Sequence, residues 1–376
     1  MDAALADVVV IDLSRIYAGP YCTMMLGDLG ATVIKVEQPG KGDDTRQFGP
    51  PYIEGESAYY LGLNRNKHSI TLDFTNPDDK ERLMHLLEGA TILVENFRAG
   101  TMEKLGLGYE TLHMLNPSLI YCSISGYGQE GPYRDRAGYD FVAQAESGLM
   151  AVTGEVDGEP QRCGSPIGDQ AAGMYACMSV LAALRVRDRT GKGQRIDISL
   201  LESAISLLGN VSANHLISGE EAKRYGNGHP NIVPYQAFQT SDGYIVVAAG
   251  NDRLFQALCT FLQREDLAHD PRFVTNPQRI RHRHELIPLL QERFLQRTSE
   301  EWLVALRTVG LPCGTINKVS QVFADPQTQA RGLVWECEHP TAGIIKLAGS
   351  PLRLSETPTR LYKAPPLLGE DNGKSF

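Results

Sequence analysis

A two-part α/β protein built on a parallel sheet is predicted by three features of the sequence. Short runs rich in β-branched apolar residues alternate with stretches of helical spacing through the first two hundred residues. The first of these repeats fits strand, helix and strand into thirty residues, a unit that calls for parallel pairing. After about Ile217 the texture changes to Gly, Asn and Pro, then to a hairpin and helices.

The elements follow in order. Val8 to Leu13 reads as a buried strand, Gly19 to Leu29 as a helix and Thr32 to Glu37 as a second strand. Ser69 to Phe74, Thr91 to Glu95 and Leu119 to Ser125 read as further strands, with a helix over Pro77 to Leu87 and a long one over Gly173 to Arg185. Strands alternating with helices imply a sheet covered on both faces. Lys223 to Pro234 reads as a linker, followed by a hairpin whose arms are Tyr235 to Thr240 and Tyr244 to Ala249. Helices are expected over His282 to Arg297 and from Ser299, with the Glu300–Glu301 pair in the first turn, to Val309. Leu333 to Glu338 and Gly343 to Leu347 read as strands, and the Pro-rich tail after Ala364 as extended chain. The expected organisation is a large α/β domain over 1–220, a small α+β domain over 221–318, and a return segment over 319–376 that completes the large one.

Composition narrows the function. The 376 residues are 42% hydrophobic and 22% charged, a balance that can bury a large core. A net charge of −9, with no block of Lys or Arg, argues against nucleic acid or an anionic membrane as partner. No stretch approaches the ~20 consecutive apolar residues of a membrane span. Met1 to Asp7 carries two acids and reads as neither a signal peptide nor a basic transit peptide. Seven scattered cysteines without a CxxC pair fit a reducing compartment. The cytoplasm is expected, or the mitochondrial matrix if a leader had been removed.

Familiar catalytic patterns are missing. Gly19, Gly27 and Gly30 lack the close spacing of a dinucleotide-binding turn, and there is no P-loop, HExxH or GxSxG. The nine histidines form no pair at metal-ligand spacing, so no metal is expected. What stands out is Gly164-Ser-Pro-Ile-Gly-Asp169, which sets a carboxylate just before a helix expected to begin near Ala171. Free N–H groups at a helix start hold anions. Spacing alone, however, favours an ordinary N-cap for Asp169.

A longer set of motifs weighs against the cap. Ala18-Gly-Pro20, Leu26-Gly-Asp-Leu-Gly-Ala31, Val33-Ile-Lys-Val-Glu37 and Gly42-Asp-Asp-Thr-Arg46 occur in order with Asn64-Arg-Asn-Lys67, Val94-Glu-Asn-Phe-Arg98, Gly126-Tyr-Gly-Gln-Glu-Gly-Pro132, Gly168-Asp169 and Leu367-Leu-Gly-Glu370. Together they resemble the family III (CaiB/BaiF-type) CoA-transferases over nearly the whole chain, most of all the succinyl-CoA:glutarate branch. The resemblance implies a Rossmann-like large domain and an interlocked ring homodimer. It also implies coenzyme A as substrate rather than a permanently bound cofactor, and a covalent aspartyl-CoA intermediate on Asp169. CoA would pass from a succinyl- or acetyl-type donor to a short dicarboxylate such as glutarate.

The same resemblance assigns Leu72, Asn96 and Phe97 to the CoA adenine, with Arg98, Lys104 and Arg136 as cations for its phosphates. Tyr17, Tyr59, Tyr139, Gly250 and Asn251 would lie near the reacting groups. Gln38 and Ala137 stand where some relatives have cations, so Arg46, Arg98 or Arg136 would supply the charge. Arg15, Arg46 and Arg224 are candidates for the acceptor's second carboxylate. Two other readings share the fold. In an α-methylacyl-CoA racemase the position of Tyr139 carries a catalytic His, and a tyrosine with a usual pKa near 10 is a poor substitute in proton abstraction. In the acetyl- or formyl-CoA:oxalate branch, the formyl-CoA enzymes have Gln at position 17 and a glycine run, where this chain has Tyr17 and Ala248-Ala-Gly-Asn251.

Overall fold

The computed structural model describes residues 3–376. The chain divides into two compact units. The first comprises Met1–Leu149, Arg162–Gly219 and Pro326–Phe376, the second Met150–Gln161 and Glu220–Asp325. Residues 150–161, expected in the large domain, thus belong with the second unit, and 319–325 stay there too. The cause of the first shift is Arg224, whose guanidinium donates to the carbonyls of Ala151, Glu155 and Gly158 at 2.7–3.3 Å.

In chain order the strands of the first unit are β1 (Val9–Asp12), β2 (Thr32–Glu37), the small ladder β3 (Tyr52–Ile53) and β4 (Glu56–Ser57), β5 (Lys67–Thr71), β6 (Ile92–Glu95), β7 (Ile120–Ser125) and β8 (Arg195–Ser199). The main sheet runs β5-β2-β1-β6-β7-β8, parallel throughout. Its chain order reverses between β1 and β6, the position at which open parallel sheets bind ligands beyond their carboxyl ends. Alternate residues serve opposite faces. Val10, Val33, Ile92 and Ile120 pack with the helices Ala18–Asp28 and Ile167–Thr190, while Ile11, Ile34, Ile70 and Leu93 pack on the other side. Both faces are covered, which explains the unbroken apolar runs.

Two strands depart from the expected pattern. β5 starts at Lys67 rather than Ser69, because the Lys67 ammonium is buried against Asp12 at 3.1 Å, the Pro20 carbonyl at 2.9 Å and Asn64 at 3.0 Å. β8 (RIDIS) went unread because polar residues alternate along it at the sheet margin. The helix Ile167–Thr190 is long and apolar enough to cross a membrane, unlike the expectation above, but half of its most apolar window is buried. It packs closely on the first helix. A Cβ on Gly173 would lie 2.7 Å from the Ala18 carbonyl oxygen, so only glycine fits there.

The return segment supplies the antiparallel hairpin β12 (Val334–His339) and β13 (Gly343–Ala348), which packs Ile345 and Leu347 on Leu61. The tail then lies along β5. Asp371 donates its N–H to the Ser69 carbonyl and accepts the Ser69 N–H, and Asn372 accepts the N–H of Thr71, all at 2.9–3.0 Å.

In the second unit β9 (Tyr235–Gln239), β10 (Tyr244–Ala248) and β11 (Cys313–Thr315) form an antiparallel sheet ordered β11-β10-β9. Phe238, Ile245 and Val247 face a core closed by Phe255, Leu290, Phe294 and Trp302. The helix Ser299–Thr308 begins at Ser299, as expected, and is capped by Thr298 and Glu301 in a reciprocal box.

The Asp28–Arg65 pair ties these parts of the first unit together. Arg65 holds both Asp28 oxygens at 2.7–2.8 Å, donates to the Ala348 carbonyl and lies over the Trp335 ring. Asp28→Leu is expected to destabilise the protein by about 3–5 kcal/mol by stranding the buried guanidinium. Adding Arg65→Met is expected to recover much of that loss in thermal unfolding.

Candidate active site

Three loops meet beyond the carboxyl ends of β1, β6 and β7. They line a cavity of about 370 Å³ with Arg15, Tyr17, Asn96, Phe97, Arg98, Arg134, Arg136, Tyr139, Asp140 and Asp169 among its walls. An adjoining slot of about 230 Å³ has Leu72, Phe74, Phe97 and Leu105 as apolar walls and shares Arg15 and Phe97 with the first.

Asp169 sits in the first turn of the helix Ile167–Thr190, not before it as expected. The helix starts early because an outside carboxylate serves its first N–H groups. Asp140 Oδ1 accepts Gly168 N–H at 2.8 Å and Asp169 N–H at 3.3 Å, while its Oδ2 accepts from the Gln144 amide at 2.7 Å. The N–H of Ile167 is bonded to Ser165 O and that of Gln170 to Pro166 O. The expected pool of free amides at this helix start is therefore already engaged. Burial, then the facing Asp140 charge, pushes the Asp169 carboxyl up to about 7.

Asp140 reaches this position through two glycines. A Cβ on Gly138 would lie 2.3 Å from the Gly126 Cα, so the segment before Asp140 rests directly on the chain leaving β7. Sequence reasoning named Tyr139 but passed over Asp140. It also passed over Gln170, whose amide donates to the Tyr17 hydroxyl at 3.0 Å. Tyr17 and Tyr59 meet edge to face at 6.0 Å, and Phe48 continues the row against Tyr59. Burial pushes both phenols up, reinforced by the Asp169 charge. Tyr139 is exposed on the cavity rim.

The other expected residues divide clearly. Leu72 and Phe97 line the slot, and Arg98 and Arg136 the larger cavity, with the Arg136 guanidinium 3.5 Å from the centre of the Tyr133 ring. Asn96 lines the cavity, but its amide is spent on the backbone of Arg15, accepting its N–H at 2.8 Å and donating to its carbonyl at 2.7 Å. Phe97 is held from below by Glu95, a buried carboxyl pushed up to about 7 by desolvation, which accepts the Phe97 N–H at 2.8 Å. Lys104 is exposed on its short helix and lines neither space. Arg46 is committed elsewhere, to both Glu37 oxygens, Tyr60 and the Pro366 carbonyl. Arg224 is committed as well, to the carbonyls that brace the second unit. Of the three arginines considered for a second carboxylate, only Arg15 lines the cavity, paired with Asp44 at 3.1 Å. Gly250 and Asn251 lie in the second unit, where Asn251 caps the helix Asp252–Phe261 through Leu254 N–H. Among the described residues no three His, Cys, Asp or Glu side chains converge as a metal site.

The chain that carries this arrangement is similar to known proteins. The profile of CoA-transferase family III matches residues 5–372. Human succinyl-CoA:glutarate CoA-transferase is 47% identical over 97% of this chain and 84% of its own length. The succinate–glutarate CoA-transferase of Agrobacterium fabrum is 43% identical over 97% and 93%. The crystal structure of a CaiB/BaiF family protein from Brucella suis is 44% identical and superposes with a TM-score of 0.87 over 98% of this chain and 97% of that one. The chain accordingly belongs to CoA-transferase family III, and it is an enzyme that transfers coenzyme A to carboxylic acids.

Proposed function

We propose that Asp169 is the covalent nucleophile of this transfer and that the substrates are succinyl-CoA and a short dicarboxylic acid such as glutarate. The observation that carries the reading is the Asp169 carboxyl itself. Its own oxygens are not used to cap the helix, it is desolvated beside Asp140, and it opens on a cavity walled by cations. The similarity to succinate–glutarate enzymes supports the substrate pair.

In this reading the slot of Leu72, Phe74 and Phe97 takes the adenine, and Arg15, Arg98 and Arg136 face the phosphates and the acceptor's distal carboxylate. The Asp169 carboxylate attacks the donor thioester, forming a mixed anhydride and expelling CoA as thiolate. The thiolate then attacks the aspartyl carbonyl, which forms aspartyl-CoA and frees the donor acid. The acceptor carboxylate runs the two steps in reverse. One thioester replaces another at each pass, so the chemistry needs no nucleotide hydrolysis.

Oxyanions along this route need donors other than the amides held by Asp140. The Tyr17 hydroxyl accepts from Gln170 and so has its own proton to offer. Tyr17 is also the N-cap residue of the first helix, makes no side-chain capping bond, and sets that helix start on the same cavity. Removing one such donor typically costs ~3–4 kcal/mol of transition-state stabilisation. The protein acts, in the same proposal, as an interlocked homodimer. Its seven unpaired cysteines support a reducing compartment such as the cytoplasm.

Succinyl-CoA offered with a panel of mono- and dicarboxylic acids is expected to yield glutaryl-CoA by mass, with transfer undetectable for Asp169→Ala. Hydroxylamine is expected to trap a hydroxamate at Asp169. Exchange of an α-proton with deuterated solvent, without transfer, would instead favour the α-methylacyl-CoA racemase reading. Because only the carboxylate attacks, kcat/KM for the donor is expected to rise with pH and level off above about 7, the carboxyl's position in the free protein. Asp140→Asn is expected to move that midpoint down. The fold raises this carboxyl from 3.8, so its stabilising contribution is present at low pH and lost as pH rises through about 7. Asp169→Asn removes that loss, and its Tm advantage over the wild type is expected to grow from pH 5 to pH 8.

A further inference from the structure

The turn that delivers Tyr17 to Asp169 is held in an unfavourable backbone conformation by hydrogen-bonding side chains buried beneath it. Ile16 has φ 69°, left-handed for a β-branched residue. Such a conformation costs on the order of 1–3 kcal/mol and persists only where its surroundings over-determine it. Here each neighbouring peptide group is gripped. Lys35 Nζ donates to the Ser14 carbonyl at 2.9 Å and to Asp43 Oδ2 at 2.8 Å, and both side chains are fully buried. Ile16 N–H points between the two Asp43 oxygens at 3.2 and 3.3 Å. Asn96 closes the outer side on Arg15. Asp43 is itself fixed, since it accepts from Thr45 N–H and Oγ1, and its own N–H donates to Glu37.

We infer that Asp43, held by Lys35, is a positioning residue for CoA transfer: its carboxylate locks Ile16 in the left-handed turn and thereby sets Tyr17 and the first helix start against Asp169. The inference rests on Asp169 as the nucleophile. Stability alone does not explain the pair. A buried ion pair is often replaced by apolar residues of similar size with no loss, or even a gain, in stability. What an apolar pair cannot supply is an acceptor for the Ile16 N–H. One consequence separates positioning from packing: the acceptor oxygen matters, and the charge does not.

Two double variants isolate that oxygen. Lys35→Met with Asp43→Asn removes both charges and keeps a carbonyl facing Ile16. Lys35→Met with Asp43→Leu removes the acceptor too. The readout is a single turnover at saturating succinyl-CoA, well below each variant's Tm, giving the rate and the amplitude of the hydroxylamine-trappable Asp169 adduct. The leucine pair is expected to reach full amplitude about 100-fold more slowly, the typical effect of misplacing a reacting group by about an ångström. The asparagine pair is expected to recover most of the rate. Equal rates in both pairs, whether near the wild type or equally slow, would overturn the inference. So would a leucine pair that loses only amplitude, which marks a folding role. If the leucine pair does not fold, Lys35→Met with Asp43→Ser replaces it, because the shorter side chain withdraws the acceptor from Ile16. If the wild type itself forms no adduct, the nucleophile reading fails. Steady-state kcat per folded molecule then decides between the two pairs by the same comparison.

Discussion

An α-helix begins with N–H groups that no residue of its own can accept, and here a carboxylate from another segment meets that demand. Asp140 takes the amides of Gly168 and Asp169. The usual solution is a side chain just before the helix, which would have consumed the carboxyl at this position. With the cap supplied from outside, the Asp169 oxygens stay free in a partly dry cavity. The same contact brings a second negative charge close, and together with burial it raises the proton affinity of Asp169. Helix start and acidity thus share one interaction, and the Gly126–Gly138 backbone approach makes room for it.

Much of this was legible in the sequence. β-branched runs found most of the parallel strands, since a sheet buried on both faces must be apolar throughout. The charged rows were not legible. Lys35 and Lys67 look like surface residues in a sequence, but they lie inside because Asp12 and Asp43 are inside with them. The start of the helix that carries Asp169 was placed late because Gly168 reads as loop, and only the fold shows that Asp140 compensates for it. Arginines were harder still. Arg15, Arg46 and Arg224 were indistinguishable as letters, yet Arg46 is taken up by Glu37 and the distant Pro366 carbonyl, and Arg224 by carbonyls 66–73 residues upstream. The resemblance to a family supplied Asp169. Local spacing alone favoured the cap, because the partner that makes a cap unnecessary lies 28 residues upstream of Gly168.

An acidic protein can still gather cations in one place. Net charge is −9, yet Arg15, Arg98, Arg134 and Arg136 all line one cavity. The large acidic balance therefore sits elsewhere, and the field at the cavity is local. Deep inside, the opposite strategy holds. Glu37–Arg46, Lys35–Asp43 and Lys67–Asp12 pair off charges beneath the carboxyl ends of the strands. A neutral foundation thus lies under an arginine-lined mouth.

The tail that lies on β5 gives the fold a timetable. β5 is complete once Thr71 has been made, but its outer N–H and C=O groups are satisfied by Asp371 and Asn372, which lie 302 and 301 positions beyond their partners Ser69 and Thr71. On a ribosome this strand waits, with an open edge, until those residues have been made. The nascent sheet is therefore most exposed to stray strands during its own translation. Only the arrival of Asp371 and Asn372 closes that edge.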